Sequence, residues 1–336
     1  MDRQGFLARH VGLSGLAAIE IGALDHPVLA PGAAGVGYLD HLDTPGLRAK
    51  YRNDPAVDKE RIVEVSHVWS GGPMSSAVPA GLRVDLLVAS HVFEHIPDPV
   101  GWLLDARRLL RDDGRIFLVL PDRRFTFDLK RRDTALTDWL GWHLRRLDRP
   151  APDQVFDHFA GVCAVSTSRA WGGADEAEFP AMQDARVAHD LAVSVAAGGD
   201  YLDVHCSVFT PFHFVALCRA LSRLGLFPYR IEAFAPTEPN DIEFAALLQA
   251  AERPAVGPGQ VDLQAIARAA GYRGEFGGGR LRAALDADPA LRGRYEAAVA
   301  AARAEAAAQW DARLADFPAL DPALHHDRPR QGDPRL

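Results

Sequence analysis

Short apolar runs recur along the first 122 residues, each ended by a polar or acidic residue. They are LAAIEIG at 16–22, GVGYLDH at 35–41, RIVEVS at 61–66, VDLLVASH at 84–91 and GRIFLVLPD at 114–122. Runs this continuous fit strands covered on both faces, as in a parallel sheet. Between the fourth and fifth lies DPVGWLLDARRLLRDDG, 98–114. Asp98 suits an N-cap and Pro99 the first helical position. Val100, Leu103, Leu104 and Leu110 follow at helical spacing, with Arg107 the one polar member, and Asp112-Asp113-Gly114 is expected to end the helix in a turn. Strand, helix and strand in so short a stretch form a βαβ unit.

The pattern then changes. Residues 123–204 are polar and aromatic and carry histidines, and read as a mainly helical insertion placed to cover a pocket. Residues 205–252 return to α/β character, with a helix at 210–226 and two closing strands, PYRIEAFAPTE at 228–238 and NDIEFAALLQA at 240–250, expected to pair antiparallel. Residues 253–325 are Ala-rich and helix-prone. They could pack on the domain or join two copies as a homodimer. The tail, 326–336, has the composition of a disordered segment. Residues 1–122 are thus the first half of an α/β sheet, and the fold class is α/β.

Composition changes this picture little. The 336 residues are 48% hydrophobic and 24% charged, ordinary for a soluble globular chain. The net charge of −8 gives no basic surface for nucleic acid. Cys163, Cys206 and Cys218 have no metal or disulfide spacing, which fits free thiols in a reducing compartment. No apolar run reaches the ~18 residues of a membrane span, and the N-terminus lacks the h-region of a signal peptide. The expectation is a cytoplasmic protein.

Chemistry concentrates at ASHVFEHIPDP, 89–99. His91, Glu94 and His95 spell H-x-x-E-H, a zinc pattern of some peptidases. That pattern works on a helix, where residues four apart share a face. Here Pro97 and Pro99 stop a helix almost at once, and a strand precedes it. No metal is therefore expected, and the zinc peptidase is kept as the remote alternative. The other reading puts Ser90 and His91 on a loop after the fourth strand, in the crevice where open α/β sheets bind ligands.

The first run ends in Glu20-Ile21-Gly22, with a glycine that lets a ligand approach the backbone. Asp40 ends the second run, and its carboxylate can accept from both hydroxyls of a ribose. A pyrophosphate cofactor wants G-x-G-x-x-G leading into a helix. Only Gly22 is in place, and Pro27, Pro31 and the later glycines leave no room for a helix before the second strand. A nucleoside ligand without phosphate fits better.

These residues resemble the class I S-adenosylmethionine-dependent methyltransferases. The carrying segments are IEIGALDHPV, YLDH and DLLVASHVFEHIPDPVGWLLDARRLLRDDGRIFLVLPD. The resemblance covers about 15–125 and, more weakly, 205–250, and is closest to a bacterial subgroup associated with polysaccharide and small-molecule biosynthesis. It implies a Rossmann-like, mostly parallel sheet with an antiparallel last strand, S-adenosylmethionine as cofactor, and a small-molecule or glycan acceptor. It places Glu20, Gly22, Ala23, Leu24, Asp40, His41, Ser66, Ser90 and His91 at the cofactor. The family's first helix is expected to be missing. For a hydroxyl acceptor, a histidine is the expected base. His158 and His205 are the first candidates, with Asp122 to orient base or substrate. Arg123, Arg124, Trp142 and His143 are the expected substrate contacts. The expected reaction is methyl transfer to oxygen, less readily to nitrogen. The rival is a relative that uses the same cofactor for non-methyl chemistry, or for none.

Overall fold

A computed structural model describes residues 1–251, 267–274 and 280–301. The chain divides into two compact units, 1–221 with 227–254, and 222–226 with 255–336.

The first unit is built on seven strands: β1 (Ala18–Ile21), β2 (Val36–Asp40), β3 (His67–Val68), β4 (Val84–Ser90), β5 (Leu110–Pro121), β6 (Tyr229–Ala235) and β7 (Glu243–Ala250). Their order in the sheet is β3-β2-β1-β4-β5-β7-β6. All neighbours are parallel up to β5, and β7 runs antiparallel to both β5 and β6. The chain therefore reverses its direction of winding between β1 and β4, which opens a crevice beyond their C-terminal ends. The central strands carry the continuous apolar runs because both of their faces are covered: 86–89 and 116–120 are fully buried. One face packs Leu86, Val88, Phe117 and Val119 against Phe6, Leu7 and Val11.

Phe6 and Leu7 belong to α1 (Arg3–His10), which the apolar pattern did not indicate. α2 (Thr44–Lys50) follows β2, capped by Asp43. α3 (Pro99–Leu109) starts as expected, with the Asp98 side chain accepting from Gly101 N at 2.8 Å and Pro99 in its first turn. The expected turn at Asp112-Asp113-Gly114 is instead inside β5. The strand begins at Leu110, and its pairing with β4 shifts register between Val84 and Leu86. The third strand also differs. It was expected over 61–66 and is two residues long, at His67 and Val68. Residues 62–66 pack apolar side chains beneath α2 instead, with Ile62 beside Leu47 and Val57.

The 123–204 region is helical: α4 (Leu136–Arg145), α5 (Pro152–Gly161), α6 (Thr167–Trp171) and α7 (Ala185–Ala196). α8 (Pro211–Arg223) then leads back to the sheet. Phe93, Trp102, Trp139, Phe209 and Phe214 form an aromatic cluster that fastens α3, α4 and α8 to the turn after β4. No helix lies between β1 and β2, as expected.

In the second unit, α9 (Arg280–Ala287) is one described helix, and Ala267, Tyr272 and Leu291 form a small core. Most of the expected 253–325 extension, and all of the 326–336 tail, lie outside the described residues.

Candidate active site

The C-terminal end of β1 is fixed from below. Glu20 is buried, and its two carboxylate oxygens accept from Val28 N at 2.7 Å and Leu29 N at 2.8 Å. It therefore shapes the 22–35 segment from inside and does not face the crevice. Burial raises its pKa to about 7, against the lowering by those two N–H groups and Arg3. Gly22 takes φ +64°, and a Cβ there would stand 2.8 Å from Val92 Cγ2. The loops after β1 and β4 thus meet at a distance only glycine permits. Leu24 and His91, one on each loop, are held at φ +46° and +53°. Strain of this kind in non-glycine residues gathers at functional sites.

Asp40 ends β2, nearly buried. Its Oδ1 accepts from His41 N at 2.7 Å and faces His41 Nδ1 at 2.6 Å. Among the described residues Oδ2 has no partner, which leaves it for a ligand hydroxyl. Ser66 stays close to the strand, its N–H on Tyr38 O at 2.8 Å. Ser90 ends β4 with a buried Oγ that meets no hydrogen-bond partner among the described residues. Such an orphan is costly unless a ligand satisfies it. So Gly22, Ala23, Leu24, Asp40, His41, Ser90 and His91 lie at or beside the C-terminal ends of β1, β2 and β4, with Glu20 behind them, while Ser66 precedes β3 and sits beside Tyr38, short of those ends.

Beyond the ends of β4 and β5 is a cavity of about 440 Å³, lined by His91, Glu94, His95, Phe125, Phe127 and His205 among others. Its titratable groups are held in pairs. His91 Nε2 lies 2.7 Å from Glu243 Oε2, and Arg3 Nε donates to Glu243 Oε1 at 2.9 Å. Burial works against a charged His91, but Glu243 and Glu94 outweigh it and raise its pKa to about 9. Glu243 is correspondingly held down at about 2, against its burial, by His91 and Arg3. His95 Nδ1 meets Asp203 at 2.8 Å. His205 Nδ1 meets Asp128 at 2.6 Å, which leaves Nε2 for the cavity. Burial would raise the Asp128 carboxyl, but His205 and Arg131 bring it to about 2.

The Arg131 guanidinium is fully buried. It donates to Asp128 at 2.7 Å, Asp157 at 2.7 Å and His205 O at 2.8 Å. It ties α5 and the segment before α8 to the loop after β5.

The other sequence candidates sit elsewhere. His158 stands behind His205, its Nδ1 accepting from His205 N at 3.2 Å. Burial, with Arg131 and His205, holds its pKa near about 3, so it stays neutral. Asp122 is buried and taken up by Arg124, at 2.6 Å, and Thr237, at 2.7 Å. Arg123 pairs with Asp133 at 2.8 Å. Trp142 donates to Asp153 at 3.1 Å, and His143 meets Asp98 at 3.0 Å, so both join helices outside the cavity. The helical H-x-x-E-H geometry is not formed: Phe93–His95 is a single 3-10 turn, and His91 turns to Glu243. Sequence reasoning missed Arg3, Asp128, Arg131, Asp203 and Glu243. The signals were slight. Asp128 and Arg131 stand three apart, and Glu243 is a charge opening an apolar strand.

Residues 33–166 match the family model described as a methyltransferase domain. The sheet order β3-β2-β1-β4-β5-β7-β6 agrees with that match. Over residues 33–166 the chain is similar to methyltransferase domains. Several solved structures are similar to it. The mitomycin 7-O-methyltransferase MmcR is 13% identical, with 74% of this chain and 53% of that one covered and a TM-score of 0.34. The Burkholderia thailandensis 1,6-didemethyltoxoflavin-N1-methyltransferase is 13% identical, with 74% and 77% covered and a TM-score of 0.37. A SAM-dependent methyltransferase from Aquifex aeolicus is 11% identical, with 74% and 89% covered and a TM-score of 0.36. The match thus spans about half the length of MmcR. No curated protein matches the chain. Among the described residues, no helix is long and apolar enough to cross a membrane.

Proposed function

We propose that the chain is an S-adenosylmethionine-dependent methyltransferase acting on an oxygen, less readily a nitrogen, of a small molecule or glycan. The observation that carries the acceptor half is His205. Its Nδ1 is tied to Asp128 at 2.6 Å, and its side chain lines a cavity beyond β4 and β5. A carboxylate on one ring nitrogen fixes the tautomer and leaves the other as a proton acceptor. His158 serves as its backing, kept neutral and hydrogen-bonded to the backbone of 205.

The residues at the cofactor end fit a nucleoside. Asp40 Oδ2 is open to a ribose hydroxyl, Ser90 Oγ lacks a partner, and Gly22 brings backbone to the crevice without a side chain. S-adenosylmethionine supplies a methyl group already activated on a sulfonium. The protein's part is alignment, beside the apolar faces of Phe125 and Phe127 in the cavity wall. A hydroxyl acceptor gives its proton to His205 Nε2 as its oxygen attacks.

Calorimetric titration with S-adenosylmethionine and S-adenosylhomocysteine tests this. Wild type is expected to bind in the micromolar range and Asp40→Ala not at all. Wild type without affinity for either overturns the reading. The segment between β1 and β2, which carries no helix, favours one second reading: the same cofactor used for aminoalkyl transfer or cyclisation. Methylthioadenosine in place of S-adenosylhomocysteine among the products of turnover would establish it.

A further inference from the structure

We propose that Glu94, His95 and His205 hold a divalent transition-metal ion, with open coordination positions facing the cavity for an oxygen of the acceptor. The inference rests on the reading of this cavity as the acceptor site, and it reassigns His205 from proton acceptor to ligand.

Three independent features converge. The first is proximity. One ligand atom from each of the three residues falls within 4.8 Å of the other two. Around a single ion, ~2.1 Å from each ligand, such atoms would be roughly 3–3.5 Å apart. Small side-chain rotations close that gap.

The second is the state of Glu94. Its side chain is completely buried, and neither carboxylate oxygen has a hydrogen-bond partner among the described residues. The nearest cationic group, His91 Nδ1, is 3.4 Å from Oε1, while the other nitrogen of that ring is bound to Glu243. A buried carboxylate whose close charge partner is this one long contact, with no hydrogen bond, is costly to keep. Glu94 is among the residues around the cavity, and its carboxylate lies just behind the cavity wall. A bound cation would satisfy it.

The third is how the histidines are presented. His95 Nδ1 lies 2.8 Å from Asp203, and His205 Nδ1 lies 2.6 Å from Asp128. Histidines that ligate metals give their other ring N–H to a carboxylate in this way, which fixes the tautomer and raises the basicity of Nε2. Here it occurs twice, on two rings whose centroids are 4.7 Å apart. One of the two carboxylates is itself anchored, because Asp128 is held by the buried Arg131 at 2.7 Å.

The donor set narrows the ion. Two imidazoles and one carboxylate suit zinc, iron(II), cobalt and manganese better than calcium or magnesium, which prefer oxygen alone. Three protein ligands leave positions for solvent or substrate, the pattern of a catalytic rather than a structural site. A coordinated hydroxyl loses its proton far more readily than a free one. The proton then leaves to water at the cavity mouth. The oxygen forms the new C–O bond, and the S–C bond breaks with its electron pair on sulfur. Ion and proton compete for the same Nε2 lone pair, so His205 serves one role or the other.

The test uses full-length, tag-free protein, stripped with a chelator and titrated with Co²⁺ while visible absorption is recorded. Zn²⁺ is then followed by equilibrium dialysis with elemental analysis. Calorimetry with S-adenosylmethionine runs on the same samples. The expected result is one ion per chain, with ligand-field bands, at micromolar affinity or tighter. Glu94→Gln and His205→Gln should lose the bands. Asp203→Asn, at a more exposed position, should weaken binding about 10- to 100-fold without harming the fold, as expected for a carboxylate behind a ligating histidine. All three should keep their affinity for S-adenosylmethionine. Wild type that binds S-adenosylmethionine but shows no Co²⁺ bands overturns the metal site and leaves His205 as the base. Bands that survive both Glu94→Gln and His205→Gln overturn it as well. Bands without S-adenosylmethionine binding would sink the methyltransferase reading and keep the metal site.

Discussion

Gly22 and His91 lie on the two loops that meet at Val92, where the sheet opens. Their backbones, at φ +64° and +53°, set the separation of the loops after β1 and β4. In Gly22→Ala, the left-handed conformation alone costs about 1–2 kcal/mol, and the new Cβ must push Val92 away. A lower urea midpoint with an unchanged m-value is expected, together with weaker S-adenosylmethionine binding. Unchanged affinity would mean that the contact serves folding only. His91 makes a separate prediction. Its pKa is raised from 6.5 to about 9 by Glu243 and Glu94, against the effect of its burial. A histidine with a raised folded-state pKa stabilises fully below the unfolded value and loses that contribution as pH rises through the folded one. Stability should therefore decline between pH 6.5 and about 9, and Glu243→Gln should flatten most of that decline in urea titrations. A wild-type curve that is flat over this window would rule the pair out as a source of stability. At this scale the sequence was legible where a residue type has one use. Asp40 is such a case for position: the acid closing an apolar run does end β2. Glu20 was not, because nothing in its position tells a carboxylate aimed at a ligand from one aimed at two backbone N–H groups eight and nine residues on.

Elements were legible in proportion to their burial. β4 and β5 are covered on both faces, so their apolar runs leave little choice. α3 carries its N-cap and proline in the letters. The third strand misled because RIVEVS has the composition of a strand, yet its apolar side chains go beneath α2 and the pairing with β2 falls on the next two residues. α1 was invisible because its apolar contribution is small: Phe6 and Leu7 alone of its residues are buried. The segment between β1 and β2 was rightly expected to lack a helix, and Glu20 is what gives it shape instead. Glu20→Gln keeps one acceptor and turns an amide N–H₂ toward a backbone donor, leaving one N–H unpaired at a cost of roughly 1–3 kcal/mol. Hydrogen exchange at Val28 and Leu29 should accelerate by 10-fold or more relative to the β4 amides. Burial raises the Glu20 pKa to about 7, so wild type should also lose stability as pH rises from about 4.5 through 7, a loss absent from the glutamine variant. Unchanged exchange at those two amides would show that the segment is held by its apolar contacts alone.

Over the whole first unit, the chemistry divides between two sources. The proposed cofactor end draws on residues 20–41 and 90–92, close in sequence to the strands that carry them, so their place at the strand ends could be read from spacing. The cavity is assembled from the turn after β4, the loop after β5 and a segment 77 residues beyond Asp128 in that loop. No spacing rule joins 94, 128 and 205, and this is why His205 was found by resemblance and Asp128 not at all. Arg131 makes that assembly. Its buried guanidinium holds Asp128, Asp157 and the carbonyl of 205 together. In Arg131→Ala, two carboxylates lose their cation, one of them deep in the protein, and removing one partner of a buried pair costs about 3–5 kcal/mol. The loss should be local. β1, β2 and β4 make no hydrogen bond to this network, so amides at 18–40 and 84–90 should keep their protection while those at 126–131, 152–161 and 203–208 exchange faster. S-adenosylmethionine affinity should stay within about two-fold of wild type, and turnover should fall by orders of magnitude. If protection falls evenly across the sheet and the insertion, the unit unfolds as one body, and the separation of a cofactor half from an acceptor half is wrong.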